Sequence, residues 1–223
     1  MTIKYLIMLL SMIILSCGGD SNPSSPFYEI TAEGWLLFED GNYQEAVGKF
    51  TEALGQNSSW ADAHNGRGWS YLELRRLDEA ETDLNNAVGL SLAAGYEQVR
   101  NEARTGLGSV LNSKGESIDA SATLRAVIED DASFTFSHRS SVDIIDVRLM
   151  LSTALLDLAV GESDPSVVDS YFDEIAQNLN SIDSENPISR DDPISWYVGE
   201  VRFDSFEEAL LEKLEWLIEL HSG

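Results

Sequence analysis

Residues 27–60, FYEITAEGWLLFEDGNYQEAVGKFTEALGQNSSW, and residues 61–94, ADAHNGRGWSYLELRRLDEAETDLNNAVGLSLAA, can be laid on each other without a gap. Gly34 falls on Gly68, Ala46 on Ala80, Phe50 on Leu84 and Ala53 on Ala87, each step being 34 residues. After a six-residue insertion the same columns read Gly108, Ala120, Leu124 and Val127, all displaced by 40, so the register survives. A fixed period of this size marks a stacked array of helical hairpins, none of which can bury its apolar face alone. Gly and Ala allow two antiparallel helices to approach closely, and Phe50, Leu84 and Leu124 fill the space between neighbouring hairpins.

Six helices follow from the repeat, over about 28–40, 43–55, 61–74, 77–90, 97–113 and 117–129. Gly41 and Gly115 mark turns between paired helices, with Leu77 and Asp78 near the equivalent turn of the second copy. The insertion, near Gly89 to Arg100, lengthens a helix or its loop. Asp130-Asp131-Ala132-Ser133 reads as a turn. Ser140-x-x-Asp143 is a capping signal before an apolar run, Ile144 to Val160, that ends at Gly161. Asp164-Pro165 starts another helix, and these two helices form a fourth, divergent hairpin. Ser181 to Phe203, with Pro187 and Pro193, breaks the helical rhythm. Asp204-x-x-Glu207 caps a last helix over about 205–221. Its apolar residues cover about 220° of the circumference, more than the stripe of about 100° that a surface helix needs. Burial on two sides or a covering partner is therefore expected there.

The repeat resembles the tetratricopeptide repeat, whose pattern is Trp-x2-Leu-Gly-x2-Tyr, then Ala-x3-Phe, then Pro. Gly34, Gly68 and Gly108 fill its glycine column, Leu37, Tyr71 and Leu111 its tyrosine column, and Ala46, Ala80 and Ala120 its alanine column. Ile30, His64 and Arg104 stand in place of the first Trp, and Ser58, Leu92 and Ala132 in place of the Pro. The resemblance covers residues 27–134. It implies an all-α fold, a tetratricopeptide-repeat helical-hairpin solenoid with three recognisable repeats, one divergent hairpin and a C-terminal capping helix in residues 135–223.

Residues 1–17 combine one positive charge, Lys4, with an apolar run from Tyr5 to Leu15 and then Ser16-Cys17. This is the pattern of a secretory signal, and the run is shorter than the roughly 20 residues needed to span a bilayer. Ile14-Leu15-Ser16-Cys17 resembles the lipobox of a bacterial lipoprotein. That resemblance implies acylation of Cys17, palmitate included, and two or more chains suffice for stable anchoring. Residues 18–26, Gly-Gly-Asp-Ser-Asn-Pro-Ser-Ser-Pro, make a flexible tether. Gly18 stands where an Asp would favour inner-membrane retention in enterobacterial lipoproteins. The expected place is the bacterial cell envelope, the outer membrane before the inner.

Net charge is −25, which opposes binding to nucleic acid or anionic lipid and favours basic or neutral partners. The three histidines, His64, His138 and His221, show no metal spacing. There is no Gly-rich phosphate loop, and Asp183 to Asp192 lacks the glycine and spacing of a calcium loop. No catalytic residue, metal or cofactor is expected, and the chain reads as a scaffold and not an enzyme. Two other readings stay open: a lipoprotein that binds a small ligand or glycan, and an enzyme with its activity in 135–223.

In the family the first helix of each hairpin lines a concave face, and the residue after the repeat glycine projects into it. Those residues here are Trp35 and Trp69, with Phe38 and Leu72 three further on. The third copy has Ser109 and Asn112. The Lys, Arg and Asn set of carboxylate-clamping members is missing. The resemblance implies a groove of Trp35, Phe38, Trp69 and Leu72 for an envelope protein or peptide, apolar or basic in character. Packing of both tryptophans between helices is the equal alternative.

Overall fold

The structure, a computed structural model, describes residues 26–93 and 95–222. Four helical hairpins stack in chain order: α1 (Pro26–Glu39) with α2 (Tyr43–Gln56), α3 (Ala61–Glu73) with α4 (Leu77–Leu90), α5 (Glu97–Lys114) with α6 (Ser117–Asp130), and α7 (Ile144–Gly161) with α8 (Pro165–Ile182). A short 3-10 turn (Pro193–Ser195) and a two-stranded hairpin, β1 (Tyr197–Val198) and β2 (Val201–Arg202), precede α9 (Phe206–Ser222). Each hairpin packs its second helix on the first helix of the next, and α1, α3, α5 and α7 also pack on one another. That places the first helices on the inside of the curve. The helix α9 closes the stack against α7 and α8.

The repeat columns have a direct physical meaning. A Cβ on Gly34 would lie 2.7 Å from the Phe50 ring, on Gly68 2.6 Å from Leu84 and on Gly108 2.5 Å from Leu124. The same close approach is therefore made three times by the same pair of columns. Phe50 also fills the gap to the next hairpin, where a Cβ on Gly66 would meet its ring at 2.2 Å. Overpacking at such a fully buried ring cannot be relieved cheaply.

The turn inside each of the first three hairpins is the same left-handed cap. The backbone N–H of Asn42 bonds the carbonyl of Leu37, that of Arg76 the carbonyl of Tyr71, and that of Glu116 the carbonyl of Leu111. The left-handed residue is Gly41 (φ 78°), Arg75 (φ 59°) and Gly115 (φ 75°). The second turn centres on Arg75, two residues before Leu77, which begins α4. A positive φ costs a non-glycine about 1 kcal/mol. Of the six inserted residues, four extend the start of α5 and two lengthen its preceding loop, since α5 begins at Glu97 while the register places the equivalent of Ala61 at Asn101.

Two caps differ from expectation. Helix α7 is capped by Asp143, not Ser140: its carboxylate accepts from the Ile145 N–H, and Asp146 reaches back to the Asp143 N–H. The final helix is capped by Ser205, whose hydroxyl accepts from the Glu208 N–H at 3.2 Å. Asp164 caps α8 as expected, with Pro165 at the first helical position. The stretch after α8 is pinned by the buried Lys213, which donates to the Asn186 carbonyl and pairs with Asp183 at 3.2 Å. Only one stripe of α9 is buried: Phe206, Ala209, Leu210, Lys213, Leu214 and Leu217. Trp216 and Leu220 remain exposed, so burial on two sides is not what the wide apolar arc provides. Among the described residues no helix is long and apolar enough to cross a membrane. The signal segment and Cys17 lie outside the described residues, as does the tether up to residue 25; Pro26 already belongs to α1.

Candidate functional site

Trp35 and Trp69 face the concave side, one above the other, as the 34-residue period requires. They are not open: Trp35, Phe38, Trp69 and Leu72 keep only 4%, 1%, 4% and 8% of their surface. The cover is the chain's own α6–α7 connection, residues 131–143, which folds back across the first three hairpins. All four lie buried beneath this connection, and Trp69 and Leu72 also border the larger of two openings on this face, Trp35 the smaller.

The connection is a narrow ladder: the Phe136 N–H bonds the Val142 carbonyl at 2.8 Å and the Ile144 N–H bonds the Phe134 carbonyl at 2.9 Å. Extended backbone alternates its side chains, so Phe134 and Phe136 both turn inward and are buried. The Phe136 ring stacks on Trp69 at 4.5 Å and meets Trp35 and Phe38 edge-on at 5.9 and 6.0 Å. His138 stacks flat on Trp35 at 3.7 Å and holds Glu39 at 2.9 Å. Arg139 donates to Glu73 at 2.6 Å and to the Tyr43 hydroxyl at 3.0 Å, with its guanidinium 4.9 Å from the Phe38 ring centre. Main-chain groups are read as well. The carboxyl group of buried Glu102 accepts from the Ser137 N–H (3.1 Å) and hydroxyl (2.6 Å), besides Asn65 and Gln98 at 2.9 Å each. Gln98 also donates to the Thr135 carbonyl at 2.9 Å. Both groove indoles are satisfied: Trp69 Nε1 bonds the Glu102 carbonyl at 3.1 Å and Trp35 Nε1 bonds Asp62 Oδ1 at 3.0 Å. The spacing Phe134-x-Phe136 was the signal that could have shown this segment to be an inward-facing strand.

Two parts of the concave face stay open. The larger is a cavity of about 560 Å³ lined by the third-copy groove residues Ser109 and Asn112, by Leu149 and Met150 of α7, and by Ile218 and His221 of α9. Arg75 and Arg139 also reach it. The smaller, about 360 Å³, lies at the first hairpin and is lined by Tyr28, Trp35, Leu36, Glu39, Asp62 and His138. His64, by contrast, is structural: it is buried, bonds Asp83 at 2.8 Å and the Ser58 carbonyl at 3.1 Å, and shares Asp83 with Arg67. Burial pushes the Asp83 carboxyl up, but bonds from His64 and Arg67 outweigh it and hold the group below the usual carboxylate range. The described residues hold no group of three or more His, Cys, Asp or Glu able to bind a metal.

Burial pushes the Asp62 carboxyl up to about 6, against the opposing bond from Trp35 and the nearby His138. Because the folded value lies above the unfolded one, the native state takes up this proton first. Stability from this group is full at low pH and falls as pH rises from about 4 to 6. At pH 7 the charged form then costs about 1–3 kcal/mol. Asp62→Asn keeps an acceptor for Trp35 and is expected to be more thermostable than wild type at pH 7.5, with the gap closing at pH 4. Thermal unfolding of both chains at the two pH values checks this; a variant no more stable at pH 7.5 refutes it.

Comparison with known proteins agrees with this architecture. Residues 31–95 match the sequence model of the family described as "Tetratricopeptide repeat". A stretch of 73 residues is 32% identical to sperm-associated antigen 1 of Rattus norvegicus, covering 33% of this chain and only 8% of that protein's length. Among solved structures, the chain is similar to YrrB, described as a TPR protein with an unusual peptide-binding site, at 17% identity and a TM-score of 0.55 over 86% of this chain and 84% of YrrB. It is also similar to a tetratricopeptide repeat protein from Parabacteroides merdae, at 18% identity and a TM-score of 0.52 over 88% of this chain and 61% of the other. With the repeat columns, the identical turns and the stacked hairpins, these likenesses give the fold as an all-α tetratricopeptide-repeat solenoid of four hairpins closed by α9.

Proposed function

We propose that this protein is a lipid-anchored cell-envelope scaffold that binds protein or peptide partners along its concave face, anchored through Cys17 and placed at the outer membrane. The observation that carries the binding half is the chain's own occupant. Residues 134–136 lie on the face in extended backbone and turn at 137–138, with aromatic side chains in pockets and main-chain groups of Thr135 and Ser137 bonded by Gln98 and Glu102. A surface built to hold extended chain, continuing into an open cavity of about 560 Å³, suits a partner segment laid beside the loop. YrrB, of similar fold, is described as having a peptide-binding site. The anchoring half rests on the lipobox-like Ile14-Leu15-Ser16-Cys17.

The exposed Thr153 lines the larger cavity, so Thr153→Trp fills that space without touching the core. Affinity purification of the native chain from membranes is expected to recover an envelope protein that the variant recovers at least about tenfold less well, at a melting temperature within about 2 °C of wild type. Equal recovery by both chains rejects the concave-face reading. In the same cells, Cys17→Ala is expected to lose acyl label and leave the membrane fraction; a variant that still labels rejects the anchor. A second reading, a small ligand or glycan in the cavity, is favoured by its volume, which lies within the roughly 300–1,000 Å³ of small-molecule sites. Native mass spectrometry showing a bound small molecule in wild type but not in Thr153→Trp would select it.

A further inference from the structure

The smaller cavity, at the first-hairpin end of the concave face, has a chemistry of its own. Two of its eight lining residues are carboxylates, Asp62 and Glu39, and none is Lys or Arg. Asp62 Oδ1 accepts from Trp35 Nε1 at 3.0 Å. Its second oxygen has no hydrogen-bond donor among the described residues, although burial makes an unmatched carboxylate costly there. Glu39 gives one oxygen to His138 at 2.9 Å. The walls are aromatic: Tyr28, 46% exposed, on one side and the stacked Trp35 and His138 rings on the other.

The same face already holds one arginine in this manner. Arg139 sits over the Phe38 ring, is hydrogen-bonded by the Tyr43 hydroxyl and is neutralised by Glu73. Phenyl face, tyrosine and glutamate make up that site. The smaller cavity repeats the set with Trp35, Tyr28, Glu39 and Asp62, but with no arginine in it; its one basic side chain, His138, is bonded to Glu39 and leaves the second oxygen of Asp62 unmatched. Elsewhere in the fold comparable carboxylates are closed by the chain's own arginines, Asp83 by Arg67 and Glu174 by Arg125. Ring faces attract a guanidinium, and carboxylates bond it strongly. A net charge of −25 draws basic segments toward the surface.

We infer that the cavity formed by Tyr28, Trp35, Glu39 and Asp62 is a second arginine site, which takes a guanidinium from a basic partner segment lying on the concave face. This rests on the concave-face reading and names the partner's chemistry. It also gives the unbonded oxygen of Asp62 a purpose: a charge kept at a cost to the fold is matched when the partner arrives. Function and stability oppose each other at this residue.

The test uses the full-length chain in non-ionic detergent and a fluorescein-labelled decapeptide of arginine, alanine and serine, with a control in which citrulline replaces each arginine. Anisotropy is expected to show saturable binding of the arginine peptide and at least about tenfold weaker binding of the citrulline peptide, a difference of about 1.4 kcal/mol. Asp62→Asn should weaken the arginine peptide by at least about tenfold while its melting temperature stays equal to or above that of wild type. Loss of fold cannot then account for the result. Glu39→Gln should weaken it in the same direction. Equal binding of both peptides, wild-type binding by Asp62→Asn, or no binding to wild type overturns the site. If Thr153→Trp loses the peptide and Asp62→Asn does not, the guanidinium goes to the larger cavity: the concave-face reading stands and this assignment falls. If partner recovery from membranes is insensitive to Thr153→Trp and the citrulline control or Asp62→Asn shows no loss of peptide, the concave-face reading and the arginine site fall together.

Discussion

Phe136→Ala is expected to lower the melting temperature by about 10 °C. The ring is fully buried, lies flat on Trp69 and touches the edges of Trp35 and Phe38. Truncating such a phenylalanine removes its transfer energy and leaves a cavity, at about 3–5 kcal/mol. A chain of this size loses about 2–4 °C for each kcal/mol. The variant should also expose both groove tryptophans, so their emission should shift to the red in the folded baseline. Calorimetry with tryptophan fluorescence checks both. A variant that melts within 2 °C of wild type would mean that the loop spends little time on the groove.

Glu102→Ala is expected to be nearly as damaging. The buried Glu102 carboxyl group accepts four hydrogen bonds, from Asn65, Gln98 and the N–H and hydroxyl of Ser137. Its removal leaves the buried Asn65 amide without an acceptor, while Gln98 and Ser137, both exposed residues, turn to water. An unmatched buried donor costs about 1–3 kcal/mol, and with the space left by the side chain the net loss comes to about 3 kcal/mol. The damage should be localised: hydrogen exchange of residues 134–142 should accelerate more than that of α2 or α4. Uniform acceleration through the whole array would contradict the role given to this residue as the anchor of the loop.

The helices were legible because the repeat states its own boundaries. A period of 34 fixes where each helix must begin once one is placed, and the columns Gly34–Phe50, Gly68–Leu84 and Gly108–Leu124 turn out to be the contacts themselves. The α7 cap was misplaced because two acceptable frames overlap, Ser140-x-x-Asp143 and Asp143-x-x-Asp146, and only the backbone chooses between them. The wide apolar arc of α9 was visible, but not that Lys213 on it would be buried against Asp183. The groove was half legible. Periodicity placed Trp35 and Trp69 on one face, while their cover comes from a segment about 100 residues away, as the 99-residue separation of His138 and Glu39 shows. The spacing Phe134-x-Phe136 shows that this connection turns two rings inward, but nothing local says onto which hairpins it folds. Asp62 and Glu102 were missed for a related reason. Acidic residues are abundant here, and only the fold shows which ones are buried.

The returning loop also changes how the array behaves as a whole. In an ordinary repeat stack each unit touches only its neighbours, so stability is a sum of local terms and the ends fray first. Here residues between the third and fourth hairpins are bonded to the first, through His138 to Glu39 and Arg139 to Tyr43. The first hairpin cannot peel away without breaking contacts that belong to the middle of the chain. A linear stack is thereby tied into a ring of contacts, and its unfolding is drawn toward a single cooperative step. The tie also carries a kinetic penalty. The first hairpin forms its last contacts only after a segment about 100 residues downstream has been made, and long-range closures of this kind slow folding.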